Sequence, residues 1–116
     1  MSTVRTSRAT DGHVVTVCFK VRSEHVDDFR KAILENAHTS LCLEFGCLLF
    51  DVCEDVTKQE FFLYEVYASP GAFDEHLASA HFKAFDSVSA SWITDKKVTQ
   101  YTRLTCGIAE TNHLEV

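Results

Sequence analysis

Apolar and polar residues alternate from position 13 to position 21. His13, Val15, Val17, Phe19 and Val21 fall on one side, and Val14, Thr16, Cys18 and Lys20 on the other. A period of two over this length is the mark of a β-strand, and the half-apolar second side suggests cover on both faces. The period then lengthens. Ser23 precedes Glu24, Asp27 and Asp28, while Val26, Phe29, Ile33, Ala37 and Leu41 recur every three or four residues. A hydroxyl followed by acids predicts a helix start, because carboxylates complement the positive end of the helix dipole. The apolar stripe carries this helix to about Leu41, with Arg30, Lys31 and Glu35 outside.

After Gly46, residues 47–53 (CLLFDVC) read as a second strand and Glu60–Tyr67 (EFFLYEVY) as a third, joined by the polar connector 54–59 in an antiparallel hairpin. Ser69-Pro70-Gly71 punctuates the chain, and proline suits a first helical turn. Phe73, Leu77, Ala80, Ala84 and Val88 then mark one helix over residues 72–88, loosening across residues 87–91. Residues 98–105 (VTQYTRLT) read as a last strand. Strand, helix, strand, strand, helix, strand predicts an α+β, ferredoxin-like βαββαβ domain, its four-stranded antiparallel sheet covered on one face by both helices. The domain is expected over residues 13–106, with a disordered lead-in over 1–12 and a tail over 107–116.

The second and third strands are apolar on both sides. A sheet covered on one face only would expose that second apolar surface, and a second copy of the chain is the simplest cover. A homodimer closing into a dimeric α/β barrel is therefore expected, with a cavity on the helix side of each subunit.

Composition narrows the function classes. The 116 residues carry 11 basic and 17 acidic side chains, a net charge of −6. With no run of lysine and arginine, such a surface disfavours nucleic acid and anionic membranes. No apolar run nears the ~20 residues of a membrane span, and the first dozen residues lack a signal-peptide core. Five cysteines, an odd number without a CxxC pair, fit reduced thiols in a cytoplasmic protein, with Cys18, Cys47 and Cys53 in strands. Nucleotide, P-loop, zinc-protease and serine-hydrolase signatures are absent.

The chemistry-bearing residues are few. Glu65 stands in an otherwise apolar strand face with Phe61, Leu63 and Tyr67. A carboxylate there needs a partner, such as Arg103, His38 or a backbone amide, or it becomes a proton acceptor with a raised pKa, a candidate general base. His76 and His81, five apart, lie about 140° apart on a continuous helix. On that geometry they flank its buried stripe, cannot share a metal ion, and either border a pocket or pack against backbone carbonyls. His38, near a helix C-terminus, is an acid or base at a pocket rim or a favourable charge at that end. Asn36 suits the orientation of a carbonyl or of dioxygen. Trp92, Tyr64, Tyr67, Phe50 and Phe62 are candidate pocket walls, Trp92 foremost. Asp51 is a second carboxylate in an apolar strand, with Arg103 or a partner chain as its expected counter-charge.

Three stretches carry a family resemblance. Residues 61–73 (FFLYEVYASPGAF), 76–82 (HLASAHF) and 44–48 (EFGCL) follow one another in order and spacing. They resemble the antibiotic biosynthesis monooxygenase family, whose patterns are F-x-L-Y-E-x-Y, H-x-x-S/T-x-H-F/Y and E-x-G-C/N-L; Phe45 stands where proline is more usual. The likeness covers about residues 13–105. It implies a dimeric α+β barrel and a small enzyme, first of all a cofactor-independent monooxygenase of a quinol, phenol or enolisable carbonyl compound, with dioxygen as co-substrate. The family also holds haem-degrading enzymes, although no residue here announces a haem ligand. It holds the isomerase of phosphorylated autoinducer-2 as well, and His38, eight residues before Gly46, matches a histidine of that subgroup. An isomerase would need a cation for the phosphate, for which Lys20, Arg22, Arg30 and Arg103 are available. The resemblance places His76 at the pocket border. Glu65, His38 and His76 are thus the expected catalytic groups, and His81, Trp92, Tyr64, Phe50 and Asn36 the expected substrate contacts. A non-catalytic dimeric ligand-binding or stress protein on the same scaffold is the reading from another class; it predicts a filled cavity and exposed histidines.

Overall fold

Val15, Val17, Phe19 and Val21 turn one side of β1 (His13–Val21) into the core. The computed structural model describes residues 12–107, so nearly all of the expected lead-in and tail lies outside the described residues. β1 sits in the middle of the sheet, pairing antiparallel with β3 (Glu60–Tyr67) on one side and β4 (Ile93–Thr102) on the other. β2 (Cys47–Asp55) closes the far edge on β3, giving the order β2-β3-β1-β4, all antiparallel. This is the expected ferredoxin-like α+β architecture.

α1 (Val26–Leu43) lays Phe29, Ile33, Asn36, Ala37 and Ser40 on the sheet. Its entry differs from expectation. Ser23–His25 form a 3₁₀ turn, and no side chain caps α1 itself. A bidentate pair from Arg30 Nε and Nη2 to Glu54, both at 2.8 Å, ties α1 to the end of β2. Phe19, Phe29, Phe61 and Phe85 meet at centroid distances of 4.7–6.3 Å and form the aromatic centre of the core.

The second predicted helix is two helices. α2 (Pro70–Ala78) and α3 (Ala80–Ser89) meet at Ser79, which is extended at ψ 152°. Its hydroxyl accepts from Phe82 N at 3.2 Å, capping α3, and donates to His76 O at 2.7 Å. The break re-phases the buried stripe. Phe85 and Ser89 turn inward, while Leu77 and Val88, expected inside, are exposed.

Other boundaries also move. β4 begins at Ile93 rather than 98, and a 3₁₀ turn over Ala90–Trp92 leads into it. β2 continues to Asp55 and holds a bulge: Cys47 opposes Tyr67, and Leu49 opposes Val66. The extra residue lets Cys47 and Phe50, three apart, face the helices together.

The opposite sheet face carries Phe62, Leu49 and Tyr101 at 40%, 36% and 52% exposure. Cys18 and Cys53 are on this face and exposed, so Cys47 is the buried one of the three strand thiols. Asp51 is exposed there too, rather than paired in an apolar interior. No helix of the described residues is long and apolar enough to cross a membrane.

Candidate active site

Strand alternation puts Glu65 on the helix-covered face, with Val15 of β1 on one side and Phe50 of β2 on the other. It is 3% exposed. Removing a carboxylate from water penalises its charged form, and burial pushes Glu65 up to about 7. The Tyr67 hydroxyl, donating to Oε1 at 2.5 Å, works against that rise; the negative charge of Glu44 adds to it, and Lys96 opposes it. The partner the acid needed is therefore Tyr67, two residues along the same strand face, and not one of the three considered from sequence.

Glu65 lines a cavity of about 50 Å³ between sheet and helices. Its wall is mostly apolar, with Val17, Ile33, Phe50, Leu63, Phe73 and Phe85 among the lining residues, and four polar side chains reach it: Glu65, Asn36, His76 and Lys96. Asn36 comes from the buried face of α1, is 5% exposed, and its Oδ1 finds no hydrogen-bond partner among the described residues. A buried acceptor without a partner costs free energy, and such groups gather where a ligand completes them. Lys96 Nζ lies 5.6 Å from the Phe19 ring centroid and 3.8 Å from Asp86 Oδ1. An open groove of about 490 Å³ runs outside, between α1 and α3, lined by Ala32, Glu35, Thr39, His81, Ala84 and Val88. Asn36 and Phe85 line both hollows and so form the wall between them.

His76 is buried at 2% exposure in an aromatic box of Phe50, Tyr67, Phe73 and Phe82, with centroids at 5.1–6.2 Å. Burial lowers its pKa and keeps the ring neutral, against the pull of Glu44. Its Nδ1 lies 2.8 Å from Glu44 Oε2 and 3.4 Å from Ser40 Oγ. An Nδ1–H that donates to Glu44 leaves Nε2 as the basic nitrogen of the neutral ring. His81 Nε2 reaches the same Glu44 oxygen at 2.5 Å. The expectation that these histidines diverge around one helix is corrected here: the break at Ser79 swings them together, so the two rings converge on one carboxylate.

The other expected site residues divide clearly. Phe50, Asn36, His76 and Glu65 border the cavity, and His81 the outer groove. His38 does not join them; it is exposed, with Nε2 3.6 Å from Cys42 Sγ, one turn away on the solvent side of α1. Trp92 stacks on His25 at 5.5 Å and lines neither hollow. Tyr64 and Phe62 alternate onto the opposite sheet face, opposing Thr16 and Cys18 of β1. Three of the cations considered for a phosphate are engaged elsewhere: Arg30 with Asp27 and Glu54, Lys20 4.0 Å from Glu60, and Arg22 with Ser91 O.

Sequence reasoning missed Glu44, Tyr67 as a donor, Lys96 and Phe85. Glu44 carries a signal, as the acid of the EFGCL element, but the sequence gives that acid no visible partner. Tyr67 had one too, since residues two apart on a strand share a face.

The family model described as "Antibiotic biosynthesis monooxygenase" matches residues 12–87. A solved protein from Nitrosomonas europaea, described as a candidate antibiotic biosynthesis monooxygenase, is 25% identical with a TM-score of 0.77, over 82% of this chain and 92% of that one. A similarly described protein from Bacteroides thetaiotaomicron has a TM-score of 0.80 at 20% identity, over 89% and 99%. A Methanosarcina mazei conserved protein has a TM-score of 0.78 at 19% identity, over 84% and 98%. At these lower identities the likeness is one of fold. No curated protein matches the chain.

Proposed function

This chain belongs to the antibiotic biosynthesis monooxygenase family, and from that premise we propose that it is a cofactor-independent monooxygenase of a quinol, phenol or enolisable carbonyl compound, with Glu65 as its base. The observation that carries the reading is the Glu65 carboxyl, buried in an apolar cavity, held near neutrality at about 7, and facing the same hollow as the unpartnered Asn36 Oδ1. A base poised near the working pH transfers protons best, and a dry wall strengthens each polar contact.

In this reading the substrate ring enters from the outer groove and presents its reacting edge past Asn36 and Phe85. The inner cavity, at about 50 Å³, suits dioxygen rather than a ring. Ionised Glu65 takes a proton from the substrate. The resulting anion passes an electron to dioxygen, and the radical pair joins at the deprotonated carbon. Loss of water from the peroxide leaves a carbonyl, so a CH₂ group and O₂ become C=O and H₂O. The unpartnered Asn36 Oδ1 accepts a hydrogen bond from a hydroxyl of the substrate and so orients its reacting edge. His76, fixed by Glu44, completes the wall.

Two chains associating through the opposite sheet face, over Leu49, Phe62 and Tyr101, give the homodimer expected of such a surface. The small phosphorylated dione of the isomerase reading finds less support, because His38 lies outside the cavity and Lys20, Arg22 and Arg30 already have partners. The non-catalytic reading calls for exposed histidines, which His38 meets and the buried, cavity-lining His76 does not.

An oxygen electrode tests the proposal. A panel of quinols and anthrone-type phenols is expected to give one O₂ consumed per carbonyl formed, without added metal or flavin. No uptake across the panel, with turnover of a phosphorylated dione instead, overturns it.

A further inference from the structure

Glu44, His76 and His81 make a donor set that the Glu65 chemistry does not use. Glu44 terminates α1, His76 lies in the last turn of α2, and His81 in the first turn of α3. Their donor atoms all lie within 4.8 Å of one another. Hydrogen bonding serves this cluster unevenly. Both imidazoles crowd Oε2, at 2.8 and 2.5 Å, while Oε1 is buried and has no partner among the described residues. The side chains are 11%, 3% and 16% exposed, so water does little to compensate the carboxylate.

We propose that these three side chains form a binding site for one divalent first-row transition metal ion of the zinc and iron(II) class. Two imidazoles and one carboxylate are the donors such ions favour, and three protein ligands leave positions open for water or another small ligand. Donor atoms about 2.1 Å from such an ion sit about 3.0–3.4 Å apart. The two carboxylate contacts, at 2.8 and 2.5 Å, are shorter than that and the whole set spans 4.8 Å, so an ion needs the carboxylate to back away and the two ring nitrogens to close in. The ion would take the place of Oε2 between the two rings and bring Oε1 within reach of a charge. Calcium and magnesium, which prefer cages of oxygen atoms, fit this donor set poorly. The Ser79 break is what creates the site, because a continuous helix would hold the two rings about 140° apart. Binding would tie the end of α1 to the α2–α3 junction on the rim of the cavity. In the loaded form Nδ1 of His76 is a ligand, and Glu65 remains the base.

Calorimetric titration of the untagged, chelator-treated full chain with Zn²⁺ tests this, with Mg²⁺ as control. One Zn²⁺ per chain is expected, with Glu44→Gln and His81→Gln each weakening binding by about 100-fold or more, since even residues that only support a ligand contribute 10- to 100-fold. A paired His38→Ala, Cys42→Ser chain should bind as the parent does. Where a variant fails to fold, ¹⁵N NMR of the native chain decides, with His76 Nδ1 and His81 Nε2 expected to shift on Zn²⁺ addition. No saturable Zn²⁺ binding overturns the proposal. So does binding that follows His38 and Cys42, or binding that leaves both ring nitrogens unchanged. Oxygen uptake by the metal-free chain is a separate readout, so either proposal can fail without the other.

Discussion

The Tyr67 hydroxyl donates a hydrogen bond of 2.5 Å to Glu65 Oε1 from two positions along the same strand face. This bond stabilises the ionised acid against burial, which drives it up to about 7. Removing the donor while keeping the ring, in Tyr67→Phe, therefore raises Glu65 further. If ionised Glu65 is the base, the rising limb of the kcat/KM profile moves to higher pH in the variant, and activity at high pH largely recovers. A limb that stays in place would show that another group sets it.

Glu65 also links stability to pH. Its folded-state value of about 7 exceeds the unfolded 4.5, so the folded chain holds this proton more tightly. Its contribution is most favourable below about 4.5, declines as pH rises from there, and levels off above about 7. The gap corresponds to about 3 kcal/mol. Glu65→Gln has no charge to bury, so the variant should gain on the parent by a few kcal/mol between pH 4 and pH 8 in urea denaturation. Parallel pH curves for the two proteins would contradict the assignment.

Asn36→Leu tests the unpartnered acceptor. Filling the position with an apolar side chain of similar size removes a buried oxygen without a partner, and stability should rise by about 1 kcal/mol. Turnover should fall by about 10²-fold as the substrate loses the acceptor that positions it. A variant that loses stability while keeping its rate would show that Asn36 is structural.

Gly46 is required by contact. A Cβ there would stand 2.6 Å from Ala72 Cβ, near the start of α2. Gly46→Ala should cost about 1–3 kcal/mol through overpacking. Adding Ala72→Gly should relieve part of that cost, measured as a coupling energy in a double-mutant cycle.

Ser79→Ala removes the cap on Phe82 N and should cost about 1 kcal/mol. Because alanine favours helix at the break, His81 should also tend to leave Glu44. Loss of a downfield imidazole proton in the NMR spectrum reads that directly.

The legible parts of this chain are those where one physical signal dominates. β1 and β3 fall on their expected residues because alternation is strict and central strands must bury one face. Glu65 was legible as a buried acid because its neighbours on that side of β3, Phe61, Leu63 and Tyr67, are apolar or aromatic. β4 was placed five residues late because Thr94, Asp95, Lys96 and Lys97 make a polar edge strand with no apolar period to read. The helix break was invisible because it falls in Ala78-Ser79-Ala80, with neither proline nor glycine to announce it. That omission hid the meeting of His76 and His81, and with it the role of Glu44. His38 and Trp92 were drawn inward by residue type, but helix phase and a stacking partner keep them outside the cavity.

Ionisation of one carboxyl group decides whether the cavity holds a base. Carbon-13 NMR of the labelled chain, with the Glu65 resonance assigned by Glu65→Gln, follows that group through pH. A titration midpoint near 7 is the predicted result. A midpoint at the ordinary glutamate value near 4.5 would contradict it, leaving no base poised in the cavity.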